Sequence, residues 1–254
     1  MIKDQIAYRF YFFLSSLSIF GQVLFAWLIW GAVFQGRDYV GGFNLQTMLL
    51  YYVISSYLFT LDEWSSAGGE VPHRIRGGSF SKFMVIPVNP LHNFLSQTIG
   101  LIGFYSVFAL PIALLSWFLF DAGVLWPTFP AVIVAVLIII SGVVFMVSYH
   151  FFIGVLAFKF QDVTFFLMLQ TNILHFTQGG LIPLNLLPQG VVDIMLFLPF
   201  PHVVFTPTML LIGEMAVEEG FKYLAVILAW TVFMYALSQL TYNRLRVKYD
   251  GVGI

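Results

Sequence analysis

The amino-acid sequence predicts an all-α integral membrane protein, with six transmembrane helices and a re-entrant helical hairpin between the fifth and the sixth. Three observations predict it. The 254 residues are 60% hydrophobic and 9% charged, with a mean hydropathy of +0.92, whereas soluble domains are about 45–50% apolar and about 25% charged. Apolar runs recur at the ~20-residue length that crosses the hydrocarbon core of a bilayer. One further apolar stretch is cut by prolines into pieces too short to cross.

The first run, 10–34, follows Lys3 and Arg9. It is far longer than the ~7–15-residue core of a cleaved signal, so it is expected to stay as a helix. The second run covers 45–61 and the third 94–120, where Pro111 is expected to kink the helix. The fourth, 131–158, is the most continuous; the fifth covers 164–183 and the sixth 221–242. Between the last two lies "LNLLPQGVVDIMLFLPFPHVVFTPTMLLIGEM", interrupted by Pro188, Pro199, Pro201 and Pro207. Its apolar pieces, 191–200 and 203–212, are ten residues each. They suit a hairpin over about 184–213 that enters one leaflet and returns. Non-helical backbone at that depth needs protein or water around it, so the hairpin should pack on the bundle. Two helices lying on the membrane surface are the alternative.

With six spans both termini share a side. Nine of the eleven Lys and Arg residues fall there: Lys3, Arg9, Arg74, Arg76, Lys82, Lys159, Arg244, Arg246 and Lys248. Arg37 and Lys222 fall opposite, among Asp38, Asp121, Asp193, Glu214, Glu218 and Glu219. Basic residues mark the cytoplasmic side, so both termini are expected in the cytoplasm. The segment 62–92 joins them there. At about 30 residues it is too small for a soluble catalytic domain, and residues 1–254 form one polytopic domain.

Several chemistries find no footing. A net charge of −1 does not suit a nucleic-acid binder. The chain has no cysteine, and its five histidines (73, 92, 150, 175 and 202) follow no metal-ligand spacing. "GGSFSK", 77–82, lacks the second glycine and the final Ser/Thr of a phosphate loop, so no ATP site is expected on this chain. No G-x-S-x-G elbow occurs. The middles of the spans carry no Asp, Glu, Lys or Arg of the sort that lines ion-coupled pathways; His150 and His175 are the only titratable exceptions of note.

Weaker polar stripes remain. Ser15, Ser18 and Gln22 share a face of the first span; Tyr52, Ser55 and Ser56 cluster on the second. Thr171, His175 and Gln178 share a face of the fifth, flanked by Gln170 and Asn172. Polar groups in hydrocarbon want partners, so these faces are expected to point inward. Ser18, Gln22, Ser55, Gln170, Thr171, His175 and Gln178 are candidates for a pathway or a protomer interface. Interhelical glue is the competing role, favoured for the first two stripes and open for the fifth. The 29 Phe residues would suit a cavity for hydrophobic or amphipathic cargo if they line one.

Four features in order carry a resemblance. They are the basic entry "MIKDQIAYRF", the polar "RIRGGSFSKFMVIPVNP" between spans two and three, "GGLIPLNLLPQGVVDIMLFLPFPHVVFTP" after span five, and the basic tail "NRLRVKYDGVGI". Over nearly its whole length the chain resembles the permease subunit of ABC exporters of the type-two class. That resemblance implies a bacterial inner-membrane exporter of drugs, lipids, peptides or glycolipids. It implies a dimer with an identical or homologous permease, and two separate ATPase subunits that hold the ATP and Mg. It implies a short coupling helix between spans two and three, which by position contains Glu70, His73, Arg74 and Arg76. Pro72 departs from a smooth helix there: it either starts the helix or shifts it to 62–69. The competing functions are a secondary transporter or channel working without an ATPase, and a polytopic enzyme or scaffold.

Overall fold

The computed structural model of the chain describes residues 9–63, 67–123, 126–160 and 163–248. Ten α-helices run through them: α1 (Arg9–Val33), α2 (Leu45–Glu63), α3 (Ala67–Arg76), α4 (Ser81–Val85), α5 (Pro90–Leu119), α6 (Phe129–Val155), α7 (Thr164–Thr177), α8 (Gln189–Phe197), α9 (Phe205–Leu211) and α10 (Val217–Leu245). Short 3-10 turns follow α6 at Leu156–Phe158 and lie between α8 and α9 at Phe200–His202. Among the described residues there is no strand, only an isolated bridge between Val40 and Phe43.

The helix starts follow local chemistry. Asn89 caps α5, its side-chain oxygen accepting from the Leu91 N–H, with Pro90 in the first turn. Thr128 caps α6 in the same way through the Ala131 N–H. Glu218 and Glu219 sit in the first turn of α10 and Arg244 in its last, each favourable to the helix dipole.

Four helices are long and apolar enough to cross a membrane: residues Phe13–Val33 of α1, then α5, Phe129–Phe158 and α10. The pair α8 and Phe200–Leu211, bent by 82°, is a fifth if it counts as one broken span. The chain is therefore a multi-pass membrane protein. The helix of Phe129–Phe158 is central, with 56% of its most apolar window buried against 17–22% for the other three. Its partner along most of its length is α10, and small residues permit their approach. Thr231 donates to the Ser141 carbonyl at 3.2 Å, and Gly220 of α10 lies against Val134 of α6.

The expected second and fifth spans come out differently. α2 has 19 residues but carries Gln46, Tyr51, Tyr52, two serines, Asp62 and Glu63, which lower its hydropathy below that of a self-evident span. α7 does not run to 183 as the sequence suggested. It stops after 14 residues, about 21 Å at 1.5 Å per residue. Gly179 then takes a left-handed φ of +76° and turns the chain. Tyr51 and Tyr52 of α2 hold the turn, donating to the Gly179 and Leu181 carbonyls at 2.6 and 2.8 Å.

The proline-broken stretch folds as α8, a 3-10 turn and α9. Every residue from Pro201 to Leu210 is buried, so this irregular backbone is clothed in protein. Asn185 ahead of it donates to the Gly41 carbonyl in the α1–α2 loop. Leu210 at its far end packs on Gly220 beside Val134.

Candidate functional site

Ten residues between α2 and α5 build a small amphipathic helix. In α3 ("AGGEVPHRIR"), Val71, Pro72 and Ile75 are buried, while Glu70, His73 and Arg76 are exposed. The helix neither begins at Pro72 nor ends ahead of it. It starts at Ala67 and passes through Pro72. A proline there removes one helical hydrogen bond, but its ring gains a seat against the end of α6. Gly154 provides the seat. A Cβ on Gly154 would stand 2.7 Å from the Val71 Cβ and 3.4 Å from the Pro72 Cδ. Glycine thus lets α3 lie directly on α6.

The far end of α3 is closed at the expected glycine pair. Gly77 N–H donates to the His73 carbonyl, and Gly78 adopts φ +72°. Phe80 N–H then reaches back to the Arg74 carbonyl at 3.0 Å, a left-handed helix termination. Arg74 itself is held from two directions. Its guanidinium pairs with Glu70 at 2.8 Å and lies 5.3 Å over the Phe83 ring. His73 and Arg76 stand exposed on the outer face beside this pair.

The buried face of α3 and α4 joins a cluster of aromatic side chains. Phe80 is fully buried and meets Phe83, Phe158 and Tyr242 at 5.4, 5.3 and 6.3 Å. Phe83 stacks on Phe94 at 5.2 Å, Phe94 meets Phe151, and Phe151 meets Tyr242. Contacts of 4.5–7 Å between rings are attractive and directional. Through them α3 and α4 are tied to the start of α5 and the ends of α6 and α10. Two polar links reinforce the join: Asn89 donates to Gln239 at 2.9 Å, and His92 bonds the Tyr235 hydroxyl at 2.7 Å. The same contacts gather Arg74, Arg76, Lys82, Lys159, Arg244 and Arg246 at one end of the bundle.

A polar seam runs between α2 and α7. Gln178, fully buried just past α7, donates to Asp62 at 2.7 Å. His175 packs its ring on Phe59 at 4.8 Å, and Gly180 lies against the same Phe59. Ser55 and Ser56 are fully buried, and their hydroxyls have no hydrogen-bond partner among the described residues; nor do the side-chain oxygens of Gln170 and Gln178. The predicted face of the fifth span splits. Gln170 and Gln178 turn inward and His175 is half-buried, but Thr171 and Asn172 are exposed and bond back to the carbonyls of Leu167 and Met168.

The stripe on α1 does not point inward. Ser18 is exposed, and Ser15 and Gln22 are half-exposed. Ser16, Ile19, Val23 and Ala26 form the buried face instead. Aliphatic packing at this i, i+3, i+7, i+10 spacing outweighs burial of two hydroxyls and an amide, so the helix is rotated by about one residue from the expectation.

Comparison with known families decides what this arrangement belongs to. The family described as ABC-2 family transporter proteins matches residues 20–253. The chain belongs to the ABC-2 transporter family. No curated protein and no solved structure matches it. As an ABC-2 subunit it is a membrane component of an ABC transporter, and an ABC ATPase is its partner. Among the described residues of this ABC-2 chain, no three His, Asp or Glu side chains converge as a metal site.

Three parts of the ABC-2 subunit's site escaped sequence reading. Asp62 sits at the end of α2, where it reads as the first residue of a polar loop. Gly154 lies in the most apolar run, and nothing local marks it as a seat. Phe80, inside "GGSF", reads as a loop residue although it is the centre of the aromatic cluster. A bulky apolar residue two positions after a glycine pair was the available signal.

Proposed function

We propose that the chain is the membrane-spanning half-channel of an ATP-driven exporter. Two such permeases and two ATPase subunits would carry a hydrophobic or amphipathic cargo out of the cytoplasm. The observation that carries this is α3: it presents His73 and Arg76 outward and connects its buried face through Phe80, Phe83, Phe94 and Phe151 to three long helices. A subunit docked on α3 can therefore move the bundle and not merely a loop. Glu70 and Arg74 act from the same helix, fixing its outer face by their ion pair.

The gathering of Arg74, Arg76, Lys82, Lys159, Arg244 and Arg246 at that end favours a cytoplasmic placement for it, with both termini on that side. Six crossings follow if α2 and α7 also span, α7 being short because the Gly179 turn meets the hairpin inside the protein. A re-entrant hairpin is supported by its two ends. Asn185 touches the α1–α2 loop and Leu210 touches the start of α10, both at the end opposite α3.

Outward polar groups on α1 and α7 favour a second permease as neighbour. Ser18, Thr171 and Asn172 are exposed in helices that lipid would otherwise surround, and exposed polar groups prefer a helix partner there. Gln170, His175, Gln178 and Ser55 lie just behind this face, where a cargo path between permeases would run. A carrier working without an ATPase does not fit a family of ABC transporter subunits.

The test is charge reversal on the outer face of α3. His73→Glu with Arg76→Glu is expected to abolish co-purification of the ATPase and ATP-driven transport, while membrane insertion is unchanged. Retention of both would place the docking site elsewhere.

A further inference from the structure

We infer that the groove between α8 and α10 is a binding site for one phospholipid with an ethanolamine headgroup. Two abutting cavities of about 370 and 240 Å³ share Phe197 and Val226 and so form one trough. One part is walled by Phe197, Val226, Ala229, Trp230 and Phe233; the other ends at Asp193, Lys222 and Tyr223. The trough thus has a charged mouth and an apolar body.

Its length fits one lipid leaflet. From Lys222 to Phe233 the α10 axis rises about 16 Å, roughly half of the ~30 Å hydrocarbon core. The groove is built and does not close on itself. The Trp230 indole N–H donates to the Phe197 carbonyl at 3.0 Å, which satisfies a carbonyl at the end of α8 and holds the two walls in register.

The mouth selects the headgroup. Its lining offers the Asp193 carboxylate and the Lys222 ammonium, both exposed and, among the described residues, not ion-paired with each other; Glu219, exposed one turn earlier on α10, adds negative charge beside Tyr223. Asp193 is oriented by Gln189, which donates to it at 2.9 Å; Lys222 rests 5.5 Å over the Tyr223 ring. A headgroup carrying only negative charge meets Asp193 unfavourably. A zwitterion satisfies both: its phosphate reaches Lys222, and its primary ammonium donates charge-assisted hydrogen bonds to Asp193. A choline headgroup has the charge but no N–H to donate. The site depends on neither the cargo nor the ATPase.

Native mass spectrometry of the intact purified chain, given equal amounts of ethanolamine, choline and glycerol phospholipids with matched acyl chains, tests this. One ethanolamine lipid per chain is expected, retained about tenfold over the glycerol lipid, a difference of ~1.4 kcal/mol. Asp193→Lys should remove that preference. Ala229→Trp, at an exposed position and without change of charge, should fill the trough and remove the retained lipid altogether. Equal retention of ethanolamine and glycerol lipids by the unaltered chain would overturn the site, as would an unchanged preference in Asp193→Lys or undiminished binding in Ala229→Trp. Choline lipid bound as tightly as ethanolamine lipid would overturn the hydrogen-bonded ammonium.

Discussion

Gly154 shows how one atom sets the position of α3. Glycine in a helix costs about 1 kcal/mol relative to alanine, and Gly154 lies near the end of a 27-residue helix. Its reason is on another element: the Val71 Cβ, bound to the α3 backbone, leaves no room for a neighbour. Gly154→Val should therefore lift α3 from α6, lower the unfolding midpoint by the equivalent of about 1–3 kcal/mol, and weaken ATPase retention. Gly100→Ala is the control. Nothing lies within 4 Å of a Cβ there, so helix propensity alone should act and stability should hold or rise. Thermal unfolding of the detergent-solubilised chain beside ATPase pull-down separates the two. Gly154 was illegible in the sequence because its contact is some eighty positions away, whereas the Gly77–Gly78 stop was legible because its cause is local backbone conformation.

Among the elements, the uninterrupted apolar run was the reliable signal. The helices of α1, α5, α6 and α10 were expected near their observed places because uninterrupted apolar runs leave no other backbone solution in lipid. α7 was overestimated: residues 178–183, "QGGLIP", hold the glycine pair and proline that end a helix, and Gly179 with two tyrosine hydroxyls from α2 turns the chain. The rotation of α1 was missed for a related reason. A stripe of two serines and a glutamine is visible by spacing, but the side it faces is decided by neighbours. Its outward placement, together with Thr171 and Asn172 on α7, makes a definite expectation. Because the chain has no cysteine, Thr171→Cys or Ser18→Cys alone should give a disulfide-linked or bifunctionally cross-linked dimer in membranes. Val107→Cys on the exposed face of α5 should not. Dimers from Val107→Cys and none from the other two would move the protomer interface to α5.

For the whole molecule, two clusters of buried side chains meet along α6: a large one beneath the hairpin and a small aromatic one beneath α3. That division suggests how force would travel, with α3 moving the small cluster and the long helices carrying the motion to the seam at Asp62, Gln178 and His175. The basic end was readable from composition, since charge placement relative to apolar runs is written directly in the chain. The aromatic connection was not, because Phe80, Phe94, Phe151 and Tyr242 come from four separate stretches. The central claim is that α3 receives the ATPase. Photo-crosslinking of the assembled complex from position 76 and, at the opposite end, from position 121 tests it most directly. An adduct with the ATPase subunit from 76 and none from 121 is the predicted result; an adduct from 121 with none from 76 would contradict the account.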